Sequence, residues 1–153
     1  MSKKLIGNSI EIDDSSQSEG KLEFDGIYRS YNPKGGYTYY LRFYPDGLVL
    51  ALSSTKTPEQ VISEFNRDSV KNSIYQTRGY YNLQNNIIKF LSIGFYERRP
   101  PSPFSTAATK NEMNIVVVEY VGEVHKNALV LTSYSYKTKY LDEKREYKFF
   151  KFP

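Results

Sequence analysis

Tyr37-Thr38-Tyr39-Tyr40-Leu41-Arg42-Phe43-Tyr44, then Pro45-Asp46-Gly47, then Leu48-Val49-Leu50-Ala51-Leu52-Ser53, reads as a strand, a tight turn and a returning strand. Aromatic and branched side chains crowd both arms, as a pleated, half-buried surface favours. Gly47 supplies the positive φ that a hairpin turn of this length needs. Working outward, the same grammar recurs. Gly26-Ile27-Tyr28 opens a strand over 26–31, and Asn32-Pro33-Lys34-Gly35-Gly36 turns it into the strand over 37–44. Gly79-Tyr80-Tyr81-Asn82-Leu83 closes a strand over 74–83. Gln84-Asn85-Asn86 then turns the chain into 87–95, because Asn tolerates the left-handed region.

Further strands follow over 113–121, with the Val116-Val117-Val118 run, over 128–136 and over 145–152, with a loose turn at 122–127. One helix interrupts the series. Thr57 is a good N-cap, Pro58 suits the first helical position, and Gln60 completes a capping box. Val61, Ile62 and Phe65 share one face, so an amphipathic helix of about three turns is expected. Its apolar face is expected to close one mouth of a barrel.

The expected fold class is all-β: an eight-stranded antiparallel up-and-down barrel with one short helix between strands three and four. Closure removes the exposed edges that an open meander of this size would present. A barrel of eight strands has an interior just large enough for side chains or one small ligand. Residues 1–20 read as a flexible N-terminal tail, because the run 13–20 is polar and without period. Residues 21–153 read as the barrel domain.

Composition sets limits on function. The 153 residues suffice for one domain with a sizeable core. There is no cysteine, which excludes disulfides, thiol catalysis and cysteine-ligated zinc. His125 is the sole histidine, so one chain cannot build a multi-histidine metal site. No stretch approaches the roughly 18 apolar residues of a membrane-spanning helix, and residues 1–7 lack a secretory apolar region. A cytoplasmic location is the expectation. The net charge of +4 is mild and reads as solvated strand faces rather than as a nucleic-acid footprint. Neither a nucleophile elbow nor a glycine-rich phosphate loop is present, and no cofactor is expected.

Taken together, Gly26-Ile27-Tyr28, the hairpin Leu41 to Val49, and Gly79 to Phe90 resemble the lipocalin-like, or calycin, superfamily, in particular its small bacterial branches. Members usually open their first strand with Gly-x-Trp, and Tyr28 stands in the tryptophan's place. The resemblance spans residues 24–152 and implies a barrel that binds small molecules. It also implies that Arg145, from a late strand, packs over the first-strand aromatic Tyr28. The missing tryptophan and the helix after strand three depart from the usual pattern.

Fifteen tyrosines and nine phenylalanines supply rings with and without a polar tip, a suitable lining for a selective apolar cavity. Alternation puts Tyr37, Tyr39, Leu41 and Phe43 on one face, and Tyr81 and Phe90 join it if that face is the lumen. Glu119 shares a face with Ile115 and Val117. Inside a barrel it would need a partner such as Arg78 or a cationic ligand. In the segment 97–112, Arg98 and Arg99 form a pair that could clamp a carboxylate or phosphate. The candidate ligand-binding residues are therefore Tyr37, Tyr39, Phe43, Arg78, Tyr81, Phe90, Arg98, Arg99 and Glu119, with no catalytic or metal-ligating set.

The expected function is non-catalytic binding of a small hydrophobic or amphipathic molecule, by a monomer or homodimer. Two alternatives remain open. One is a nucleic-acid or protein interaction module that stacks on outer tyrosines among lysines and arginines. The other is an enzyme on the same barrel with a lumen carboxylate.

Overall fold

The computed structural model describes residues 20–63, 65–67, 76–98 and 112–153. Eight strands follow one another: β1 (Gly26–Asn32), β2 (Tyr37–Phe43), β3 (Leu48–Ser54), β4 (Gln76–Gln84), β5 (Ile87–Arg98), β6 (Glu112–His125), β7 (Ala128–Ser135) and β8 (Tyr140–Lys151). Each pairs antiparallel with the next. β8 returns to β1 through Gly26 opposite Lys151 and Tyr28 opposite Phe149, which closes the barrel. The turns use the expected chemistry. Gly47 has φ +100°, and Asn85 and Asn86 both hold positive φ, as a two-residue primed turn requires.

Several expected boundaries move. β6 continues through Gly122 to His125, so the loose turn at 122–127 shrinks to Lys126-Asn127. β8 starts at Tyr140 rather than at Arg145. Pairing of Tyr140, Leu141 and Asp142 with Ser135, Tyr134 and Ser133 outweighs the polar composition of the stretch, and the strand bulges at 143–144 before pairing resumes at Arg145. The tail expected over 1–20 lies outside the described residues except for Gly20, as do residues 99–111 of the 97–112 segment.

The helix α1 (Pro58–Ile62) is five residues long, not three turns. Its capping box is present: Thr57 Oγ1 accepts from the Gln60 backbone at 3.4 Å, and Gln60 Oε1 accepts from the Thr57 backbone at 2.9 Å. It does not plug a barrel mouth. Val61 and Phe65 pack with Ile27, Tyr40, Leu48 and Leu50, which point away from the lumen, so the segment covers the outside of β1–β3. Leu48 to Ala51 are consequently buried on both faces of β3. Arg42 belongs to this outer layer. Its guanidinium lies 4.6 Å from the Phe152 ring and donates to the Phe65 carbonyl at 2.8 Å.

The inner core is uneven along the barrel axis. At the end that carries the 44–47, 85–86 and 126–127 turns, aromatic rings fill the lumen. Tyr28 meets Phe43 and Phe149, Phe43 meets Tyr81 and Phe90, and Phe90 stacks on Tyr120 with centroids 4.5 Å apart. Leu22, ahead of the first strand, is buried in the same cluster and stoppers that end. The Glu23 backbone fixes it there by donating to the Tyr28 hydroxyl at 2.9 Å. At Gly26 and Gly79, the first residues of the two Gly-x-Tyr segments, a Cβ would collide with the carbonyls of Phe150 and Leu91 respectively. Each glycine lets neighbouring backbones close up where the following tyrosine turns inward.

Candidate functional site

Towards the opposite end the inward side chains become small. Ala51, Ser53, Thr77, Ser133 and Ser135 occupy positions that aromatic and leucine side chains take lower down. The space they leave is a cavity of about 200 Å³. Drug-sized sites usually measure roughly 300–1,000 Å³, so this one suits a fragment-sized molecule. Tyr120 forms part of its floor: its ring stacks on Phe90 and also lines the cavity.

The wall carries one charged side chain among the described residues, Asp142. The ladder sets Asp142 opposite Ser133, and a register shift in β7–β8 lies between Leu131 and Ser133. Arg145, one turn of pleat further on, clamps that carboxylate with Nε at 2.7 Å and a second nitrogen at 3.3 Å. The hydrogen bond to Asp142 raises the arginine's pKa further. The guanidinium also lies 4.8 Å from the Tyr39 ring centre. The expected packing of Arg145 over Tyr28 is thus corrected: Arg145 sits over Tyr39, and Phe43 and Phe149 take the places around Tyr28.

Three phenols gather at this level. Tyr39 shares a hydrogen bond of 3.0 Å with the Tyr37 hydroxyl and accepts one of 3.4 Å from Asn32. Tyr120 is 9% exposed and Tyr147 3%. Removal from water raises the pKa of all three, since burial penalises the phenolate. At neutral pH they are protonated phenols, each with an O–H to donate.

The sequence-derived candidates divide accordingly. Tyr39 lines the cavity, and Tyr37 supports it. Phe43, Tyr81 and Phe90 point inward as expected but belong to the filled half; Tyr81 spends its hydroxyl on the Tyr44 carbonyl at 2.8 Å. Glu119 is on the outer face, between inward-facing Val118 and Tyr120, and accepts from the Tyr136 hydroxyl at 2.6 Å. Arg78 is exposed on the outer face, opposite Ile93 in the ladder, where Leu91, Ile93, Phe95 and Ile115 form an exposed apolar stripe. Neither Glu119 nor Arg78 therefore reaches the lumen. The backbone of Arg98 pairs with Glu112 at the end of the ladder, and Arg99 lies outside the described residues.

Sequence reasoning passed over Tyr120, Asp142 and Tyr147. Parity with Val116 and Val118 pointed to Tyr120, and parity with Phe149 to Tyr147. Asp142 carried no such signal, because its stretch reads as a polar link.

A larger hollow of about 450 Å³ lies outside the barrel, among Arg29, Pro58, Glu146 and Lys148; it is a surface groove. No helix among the described residues is long and apolar enough to cross a membrane. No protein-family model, no curated protein and no solved structure matches this chain. The likeness to calycins consequently rests on what the fold itself provides, a closed barrel of eight antiparallel strands in up-and-down order.

Proposed function

We propose that the barrel binds a small, partly apolar molecule in the cavity above Tyr120, and that it does so as a calycin-like container. The observation that carries this reading is the change in side-chain size along the lumen. The lower half is packed with rings, whereas in the upper half alanine, serine and threonine stand among the tyrosines and leave a cavity of about 200 Å³. Protein interiors are otherwise close-packed, and an unfilled space costs contacts on every side of it. A guest of suitable size restores them. The wall mixes Leu41, Ala51, Val116 and Val118 with hydroxyl groups, which suits an amphipathic guest.

The test is occupancy of that space. One-ring aromatic and alicyclic fragments, titrated while amide chemical shifts are followed, are expected to perturb residues around Tyr39, Ala51 and Val118 saturably. Ala51→Leu places a larger side chain in the void and is expected to abolish the perturbation while circular dichroism stays unchanged. Saturable binding that survives Ala51→Leu, or none from a broad fragment panel, overturns the reading.

A further inference from the structure

Buried tyrosines in this barrel ordinarily use their hydroxyls to hold the fold together. Tyr28 accepts from the Glu23 backbone, Tyr40 donates to the Lys56 carbonyl at 2.7 Å, and Tyr81 donates to the Tyr44 carbonyl. Tyr120 and Tyr147 depart from this rule. Both are at least nine-tenths buried and both line the cavity, yet neither hydroxyl has a hydrogen-bond partner among the described residues. Tyr44 also has a buried hydroxyl without a partner, but it packs in the outer layer and does not line this cavity. Unlike the Tyr44 hydroxyl, those of Tyr120 and Tyr147 are not sealed from water, so they are two phenols at one cavity whose O–H groups no described protein acceptor takes and a guest's acceptor can engage in place of water.

We infer that the guest is an uncharged molecule presenting an acceptor oxygen, such as a ketone, ester or amide carbonyl, to Tyr120 and Tyr147. This rests on the binding reading above and adds the chemical class. An acceptor oxygen suits the pair because each phenol has an O–H that no described protein group takes, and burial raises both pKa values so that the proton stays in place. The guest is uncharged because the wall has no charge to offer. Asp142 is the one charged lining residue described, and Arg145 already engages both of its oxygens. An ammonium or carboxylate guest would give up its hydration without a free counter-ion in return. The remaining surface of the guest is apolar, against Ala51 and Val118.

Four one-ring probes of similar size separate the possibilities: acetophenone, ethylbenzene, benzylammonium and benzoate. Each is titrated into the wild type, Tyr120→Phe, Tyr147→Phe and Ala51→Leu, with amide shifts as the readout. Acetophenone is expected to bind best. Each Tyr→Phe change is expected to weaken it about threefold to tenfold, the worth of one hydrogen bond, and to leave ethylbenzene within about twofold. Tighter binding of benzylammonium or benzoate than of acetophenone overturns the inference, as does acetophenone binding undiminished in both Tyr→Phe variants. In those cases, loss of all binding in Ala51→Leu shows that the cavity still takes guests and only the class is wrong. If no probe binds the wild type saturably, or binding persists in Ala51→Leu, the binding reading itself falls.

Discussion

Phe43 touches three other rings, those of Tyr28, Tyr81 and Phe90, each edge-on at 5.4–5.7 Å. Edge-to-face contacts of this kind add to the area that each ring removes from water. Phe43→Ala is expected to destabilise the protein by about 3–5 kcal/mol in urea unfolding, because the surrounding rings cannot collapse into the space. The tyrosines offer a sharper contrast. Tyr81→Phe removes one of two donors to the Tyr44 carbonyl, leaving the Gly47 backbone at 3.1 Å, and is expected to cost about 1 kcal/mol. Tyr147→Phe removes an unpartnered hydroxyl and is expected to leave the urea midpoint of the empty protein unchanged or higher. An equal loss in both variants would contradict that assignment. At this scale the sequence was legible wherever one face of a strand was plainly more apolar, as for Tyr39 and Phe43. Glu119 resisted because Ile115 and Val117 on its own face are as apolar as Val116 and Val118 on the other, so alternation could not say which was inside.

The hairpin from β2 to β3 was legible almost residue by residue, because Gly47 places the tight turn and the turn fixes the register of its arms. The helix was legible as a start but not as an end or a location. Its Thr57, Pro58 and Gln60 signature is realised, and Thr57→Ala is expected to cost about 1 kcal/mol, measured by thermal or urea unfolding. Amphipathicity tells which face of a helix is covered, but not what covers it. Here the partner is the outside of β1–β3, and the sign of this was Leu48-Val49-Leu50-Ala51, apolar at every position and so covered on both faces. β8 was read too short for another reason: the strand bulges at 143–144, so the polar stretch ahead of Arg145 breaks the alternation although Tyr140 to Asp142 pair with β7.

For the molecule as a whole, the accumulation of buried phenols makes stability sensitive to alkali. Tyr28 is pushed up from 10.0 to about 12 by burial, and Tyr39, Tyr120 and Tyr147 are raised for the same reason. In the unfolded chain these groups lose their protons near pH 10, while the folded state keeps them. The unfolded state then binds fewer protons, so stability is whole below pH 10 and falls as pH rises through about 12. Tyrosinate absorbance is expected to show a late phase, from buried rings such as Tyr28, that coincides with unfolding by circular dichroism. A single smooth titration centred near pH 10 would contradict it. Leu22 has a consequence of another kind. With one end stoppered, whatever reaches the cavity must arrive and depart by the same route, and the two rates share one barrier. A substitution that narrows that route without touching the bound guest would slow entry and exit by the same factor, so residence time would lengthen at constant affinity.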